Sequence, residues 1–196
     1  MAQNIEKPKL ILASSSQRRR ELLVRLGVEP DRIVSPDIDE TPRKGELPRI
    51  YAARMAMEKA AAVARRPGEM VLAGDTSVAI GRRILPQAAD AAMQRAFLKL
   101  LSGRRHHVWS AVCVIDVDGR MRSGISDSIV KFKQLGDVEI DAYIACGEGM
   151  NKAGGYAIQG RAEALVGWMS GSHSGVIGLP LYETRKLLRA AGYRVD

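Results

Sequence analysis

Apolar and polar positions along this chain of 196 residues switch between helical and extended spacing, and the switches mark its elements. Leu10 to Ala13 form a short apolar run that stops at Ser14, Ser15 and Ser16. Leu22, Leu23 and Leu26 then recur at helical spacing, which predicts strand, tight polar loop and helix in succession. Ile33 to Thr41 reads as an extended acidic loop closed by Pro42. An Ala- and Met-rich helix is expected from about Ile50 to Arg66, stopped by Pro67 and Gly68. Met70 to Ile80 reads as a strand. Ala88 to Leu101 reads as a helix with Met93, Ala96, Phe97 and Leu100 on one face. His107 to Val117 and Met121 to Phe132 are two strands joined at Asp118-Gly119, a type I′ hairpin signal. Asp137 is expected to cap a short helix ending at Gly147. Nine of the nineteen glycines fall within 147–178, so this stretch is mostly loop, with one further hairpin expected between Leu165–Met169 and Val176–Ile177. Leu181 to Ala191 forms the last helix. The order is mixed α/β with hairpins, not a strict βαβ alternation.

Several polar residues break this pattern where chemistry would use them. Ser14 and Ser16 stand at the start of the first helix, followed at once by Arg18, Arg19 and Arg20. Free backbone N–H groups and the positive end of the helix dipole meet there. Cations are disfavoured at a helix N-terminus, so the arginines suggest a site for an oxyanion of several charges, such as a triphosphate. The plainer reading is a serine cap with a solvated basic turn. Asp75 interrupts an apolar strand and, if buried, needs a cation, a metal or hydrogen-bond donors; Gly74 before it permits close approach of a ligand or backbone. The alternative is a turn at Gly74-Asp75. Lys59 falls among Ala52, Met55, Ala56 and Val63 on the apolar side of its helix, either snorkelling past the core edge or pointing into a cleft. Glu40 taken alone is an ordinary loop residue. Together these groups form the inventory of metal-assisted phosphoryl chemistry. No P-loop pattern occurs, and His106, His107 and His173 lack ligand spacing.

Composition narrows the partners. The formal net charge of +8 suits an anionic ligand. With only two Phe, two Trp and five Tyr, none interleaved with basic residues, a base-stacking surface for nucleic acid is not expected. Cys113 and Cys146 form neither a disulfide framework nor a metal pair. The N-terminal residues lack the apolar core of a signal peptide and no run reaches membrane-span length, so a cytoplasmic protein is expected.

Spaced blocks along essentially the whole chain resemble the Maf-type nucleoside triphosphate pyrophosphatases. They run Leu12 to Leu23, Asp39-Glu40-Thr41, Tyr51 to Ala60, Ala73 to Thr76, Gly147 to Gly160 and Gly171 to Pro180, with Lys152-Ala-Gly-Gly-Tyr-Ala-Ile-Gln-Gly160 the strongest. The resemblance implies a single domain over 1–196: a long twisted mixed sheet flanked by helices, in two lobes around a deep nucleotide cleft. It implies hydrolysis of a nucleoside triphosphate between its α and β phosphates with a divalent metal, Mg²⁺ or Mn²⁺, and often a homodimer. It makes Asp75 the proton acceptor and lines the nucleotide cleft with Ser14, Arg19, Glu40, Lys59 and Lys152. The expected mechanism then sets Ser14, Ser16, Arg19, Lys59 and Lys152 against the phosphates and Glu40 with Asp75 on the metal. Arg18, Thr76 and Gln159 sort the base, in a set similar to the dTTP/UTP branch. The alternatives are broad or 7-methyl-GTP specificity, or a nucleotide-binding regulator of cell division. The chain departs from the family pattern at Gln17 for Pro, Gln87 for a phosphate-facing Lys, and Asn151 for Asp or Gly.

Overall fold

A computed structural model describes residues 8–195; the N-terminal residues 1–7, part of the signal-peptide reading above, lie outside the described residues. The strands are β1 (Lys9–Ala13), β2 (Arg32–Val34), β3 (Glu69–Ile80), β4 (Arg83–Leu85), β5 (Arg105–Ile115), β6 (Met121–Phe132) and β7 (Val166–Ser170). The helices are α1 (Gln17–Val24), α2 (Pro48–Ala61), α3 (Ala91–Leu101), α4 (Asp137–Ala145), α5 (His173–Ile177) and α6 (Leu181–Ala190). The strands form one seven-stranded mixed sheet in the order β2-β1-β3-β5-β6-β7, with β4 on the distal half of β3. β1 is parallel to β2 and β3, and the other pairings are antiparallel.

Alternation along the central strands assigns their side chains to two faces. Ile11, Ala13, Val71, Ala73, Ala111 and Cys113 face α2 and pack on Ala52, Ala56 and Ala60. Leu10, Leu12, Met70, Leu72, Val112 and Val114 belong to the larger core on the other side, with Leu22 and Leu23 of α1, Phe97 and Leu98 of α3, and Leu188 of α6. Small residues on the α2 side let that helix lie close to the sheet, which brings Lys59 within reach of β3.

Several boundaries differ from the expected ones. α2 starts at Pro48, a residue suited to the first turn, and ends at Ala61, because Val63 turns into the core and the Arg66 N–H is taken by the Glu69 carboxylate at 2.8 Å. α3 starts at Ala91, capped by Asp90 Oδ1 on the Met93 N–H at 2.7 Å; Ala88 instead bonds the backbone of Asn151 and Lys152. Gly136, rather than Asp137, is the N-cap of α4. Part of the acidic loop is strand β2. The Asp118-Gly119 turn is not type I′, since only Gly119 of that pair has positive φ (86°). The expected hairpin at 165–177 does not form. β7 pairs with the free edge of β6, and Ser172 Oγ accepts from the Gly175 N–H at 3.0 Å, starting α5.

Candidate active site

The site sits at an interruption in the sheet. β1 ends at Ala13, opposite Ala73, and β4 begins pairing only at Val78, opposite Leu85, so Gly74–Ser77 of β3 have no strand on that side. Into this gap opens a cleft of about 390 Å³. Ser14, Ser16, Arg18, Arg19, Glu40, Lys59, Asp75, Thr76, Lys152 and Gln159, ten residues singled out from the sequence, all line it, and Gln87 does too.

Three of these form a charge cluster, two of them buried and the third at the mouth of the cleft. Asp75 continues the Val71, Ala73 series and so points to the α2 side. Lys59 occupies the same helical stripe as Ala52, Met55, Ala56 and Ala60, one α2 turn beyond Met55. Its Nζ donates to Asp75 Oδ1 at 2.7 Å and to Glu40 Oε2 at 2.8 Å. The Lys59 and Asp75 side chains are 9% and 8% exposed, whereas that of Glu40 is 48% exposed. Of the two readings of Lys59, the cleft is the correct one, and Asp75 lies inside the strand, not at a turn.

Thr76, one residue on, points to the opposite face. Its hydroxyl donates to the Gly178 carbonyl at 3.3 Å, and the same carbonyl accepts from Arg19 Nε at 2.9 Å. Arg19 Nη1 also donates to Ser14 Oγ at 3.0 Å, and that oxygen accepts the Ser16 N–H at 3.2 Å. Ser16 is the N-cap residue of α1 by position but its side chain makes no capping bond, so the plain serine-cap reading does not account for it. Gly74 matters here: a Cβ on it would stand 3.5 Å from Arg19 Nε and 3.2 Å from the Ala111 carbonyl.

The remaining cations crowd the same space. Burial lowers the pKa of Arg18, and neighbouring Arg19 lowers it further. Arg19 is also lowered by burial, with Asp75 and Glu40 acting against the shift. Lys152 is lowered by burial first and by Arg18 second. The Arg18 Nε is buried without a hydrogen-bond partner. Cations held close together with donors to spare are complementary to a polyanion.

Lys152 and Gln87 arrive on two loops laced to each other: Gln87 bridges Ala153, and the Ala88 N–H donates to the Lys152 carbonyl at 3.1 Å. Asn151 has φ of 56° in that lacing, a conformation asparagine tolerates better than most residues.

Sequence reasoning did not single out the apolar wall of the cleft, Val78, Tyr156, Val176 and Ile177, or the Gly178 carbonyl. Tyr156 is an aromatic residue in a glycine-rich run, which was a usable signal. A backbone acceptor such as Gly178 leaves none. The Tyr156 hydroxyl bonds buried His106 Nε2 at 2.8 Å, so His106 supports the wall of the cleft.

Glu40 and Asp75 offer hard oxygen ligands, and no group of three or more His, Cys, Asp or Glu gathers among the described residues. Two carboxylates fit a Mg²⁺-type ion that takes its other ligands from phosphate and water. No helix among the described residues is long and apolar enough to cross a membrane.

Fold and site together define an α/β protein with a cation-lined cleft built around a Lys-carboxylate cluster. The chain belongs to the Maf-like protein family, whose pattern matches residues 9–191. It is 65% identical over 94% of its length to the dTTP/UTP pyrophosphatase of Sphingopyxis alaskensis, covering 97% of that protein. It is 62% identical over its full length to the dTTP/UTP pyrophosphatase of Novosphingobium aromaticivorans, covering 96% of that protein. The Ham1 protein of Staphylococcus aureus superposes with a TM-score of 0.49 at 13% identity, over 93% of this chain and 96% of that one, a likeness too distant to bear on the site.

Proposed function

We propose that this protein hydrolyses dTTP and UTP to the monophosphate and pyrophosphate. The observation that carries the reading is the Lys59–Asp75–Glu40 cluster facing Arg18, Arg19 and Lys152 across one cleft. The relatives named dTTP/UTP pyrophosphatase, at 65% and 62% identity, support the substrate.

Lys59 engages Asp75 through Oδ1, so Oδ2 is the oxygen to take a proton from water as that water attacks the α-phosphorus. The bond from that phosphorus to the bridging oxygen breaks, and the pair of electrons leaves with pyrophosphate. Arg19, Lys59 and Lys152 stabilise the growing charge on the leaving group, and Ser14, Ser16 and the backbone N–H groups of the β1–α1 loop cradle it. Glu40 and Asp75 would hold a Mg²⁺ or Mn²⁺ ion, which supplies charge neutralisation at the phosphates when bound. Thr76 and Gln159, with the wall of Val78, Tyr156 and Ile177, receive the base, and Arg18 stands between base and phosphates. No covalent intermediate is needed.

The reading carries with it a single 1–196 domain acting in the cytoplasm as a homodimer, without a nucleic-acid partner. Pyrophosphate release over a panel of common and modified triphosphates, with and without metal, tests it. Release from UTP and dTTP ahead of GTP and ATP is expected; no release from any of them overturns it.

A further inference from the structure

Glu40 lies on a segment with no regular structure and a half-exposed side chain, yet its carboxylate meets Lys59 at 2.8 Å. An acidic residue on such a loop has no geometry of its own; something must aim it. The surroundings of the loop show what does. We propose that Arg54 is a positioning residue that sets Glu40 in the cleft by strapping the 39–46 segment to α2. The inference rests on the reading of Glu40 as part of the hydrolytic site.

Arg54 lies on the side of α2 that Lys59 does not use. Its Nε and Nη2 donate to the two oxygens of Glu46, each at 2.7 Å; Nη2 also reaches the Thr41 carbonyl at 3.2 Å. Its Nη1 donates to Glu58 Oε2 at 3.1 Å, one turn along the helix. The Arg54 and Glu46 side chains are 11% and 6% exposed, so this pair is shielded from solvent. Tyr51, whose ring lies 5.6 Å under the guanidinium, donates its hydroxyl to the Glu40 carbonyl at 2.9 Å. The loop closes on itself as well. The Thr41 N–H donates to Asp39 Oδ1 at 2.9 Å, and the Arg43 N–H donates to Glu46 Oε2 at 2.9 Å.

Glu40 is therefore fixed from two sides by one helix. Its carbonyl is held from Tyr51, the chain beyond it is pinned by Arg54, and only then does its carboxylate meet Lys59, less than two turns further along α2. A bidentate guanidinium–carboxylate pair fixes direction as well as distance, which a lysine at the same place does not do. A partly buried ion pair adds little stability, yet such a pair can specify one arrangement, as it does in some proteins. That is the property an irregular loop carrying a functional carboxylate requires.

The test uses the full chain and two variants, Arg54→Gln and Arg54→Lys. Hydrogen exchange by mass spectrometry reads the loop directly: both variants are expected to lose protection across 39–46 while β3 and β5 keep theirs. A double-mutant cycle reads the consequence. Arg54→Gln is expected to lower kcat/KM for UTP by about tenfold to a hundredfold, the scale of an ångström-level misplacement. In a Glu40→Gln background it is expected to cost less than about twofold, because the group being aimed is no longer a carboxylate. Unchanged exchange in 39–46, or an equal loss in both backgrounds, overturns the proposal. Should Arg54→Gln fail to fold, Arg54→Lys, which keeps the charge without the fork, gives the same two readouts. If the unmodified protein releases no pyrophosphate from UTP, the proposed activity falls, and the exchange measurement still decides the strap.

Discussion

Lys59 Nζ and Asp75 Oδ1 meet at 2.7 Å with both side chains less than a tenth exposed. The pair joins α2 to the middle of β3, and Lys59 cannot be removed without leaving the buried Asp75 carboxylate uncompensated. Lys59→Met keeps the apolar stem and deletes the ammonium. It is expected to destabilise the protein by about 3 kcal/mol, the usual scale for breaking a buried pair. Adding Asp75→Asn to that variant should restore part of the loss, since the stranded charge is then gone. Chemical denaturation of the protein and of these two variants measures both effects.

Asp75→Asn alone leaves Lys59 bonded to Glu40 at 2.8 Å, so the fold is expected to survive. An amide cannot accept the proton of the attacking water, and the general-base share of a rate is about 10²–10⁴-fold. Pyrophosphate release should fall by at least that factor while the melting temperature moves little. Retention of more than about a tenth of kcat, set against that range, would remove Asp75 from the role of base.

Gln87 lines the cleft and is bridged to Ala153, beside Lys152. Gln87→Lys places a further cation there, on a loop already tied to the one carrying Lys152. A charge-assisted hydrogen bond is worth about 1.5–3 kcal/mol when well placed, so kcat/KM for UTP should rise by about tenfold. An unchanged or lower value means that residue 87 does not reach the phosphates.

Gln159→Glu tests base choice. An amide presents a donor and an acceptor to the O4 and N3–H edge of uracil or thymine; an ionised carboxylate only accepts. The ratio of UTP to 7-methyl-GTP hydrolysis should fall by more than about tenfold, as expected when a site's polar groups go unpaired. A constant ratio would assign Gln159 to the support of its loop.

Stability should also depend on pH through His106. Burial, and then the neighbouring charge of His107, push its pKa down to about 4 from the ordinary 6.5. Between those values the unfolded chain binds the proton and the folded one does not. Stability is then complete above about 6.5 and is lost as pH falls toward about 4. At about 1.4 kcal/mol per unit the loss reaches roughly 3 kcal/mol. Glu46, held down to about 2 by its hydrogen bonds from Arg54, adds a second loss from 4.5 downward. Between pH 7 and 4 the protein should lose roughly 3 kcal/mol of stability relative to His106→Gln, which denaturation midpoints of the two measure; an unchanged difference would remove His106 as the cause.

Most elements were legible because their apolar spacing was regular: β3, β5 and β6 match the expected strands to within two residues at each end. The failures have a common cause. At Val166–Ser170 the local pattern suited a hairpin, but the free edge of β6 was the better partner. That edge is invisible to local spacing, as is the N-terminal pairing that makes β2 a strand. Lys59 and Asp75 were legible because each violated its element's pattern, one in an apolar stripe and the other in an apolar strand, whereas Glu40 reads alone as a loop residue and Lys152 came only with the family resemblance. Arg54 and Glu46 violated nothing, reading as ordinary surface charges until the fold enclosed them. Gly178 contributes only a carbonyl, which every residue has.

That carbonyl has a temporal consequence. It accepts from Arg19, 159 positions earlier in the chain, and from Thr76, 102 positions earlier. Synthesis delivers both donors well before their common acceptor, which follows the last strand of the sheet that carries Thr76. A nascent chain still short of Gly178 holds its arginines and carboxylates without the acceptor that Arg19 and Thr76 share. A product cut off before residue 178 is therefore expected to lack the clasp between Arg19 and Thr76 even if much of its sheet has formed.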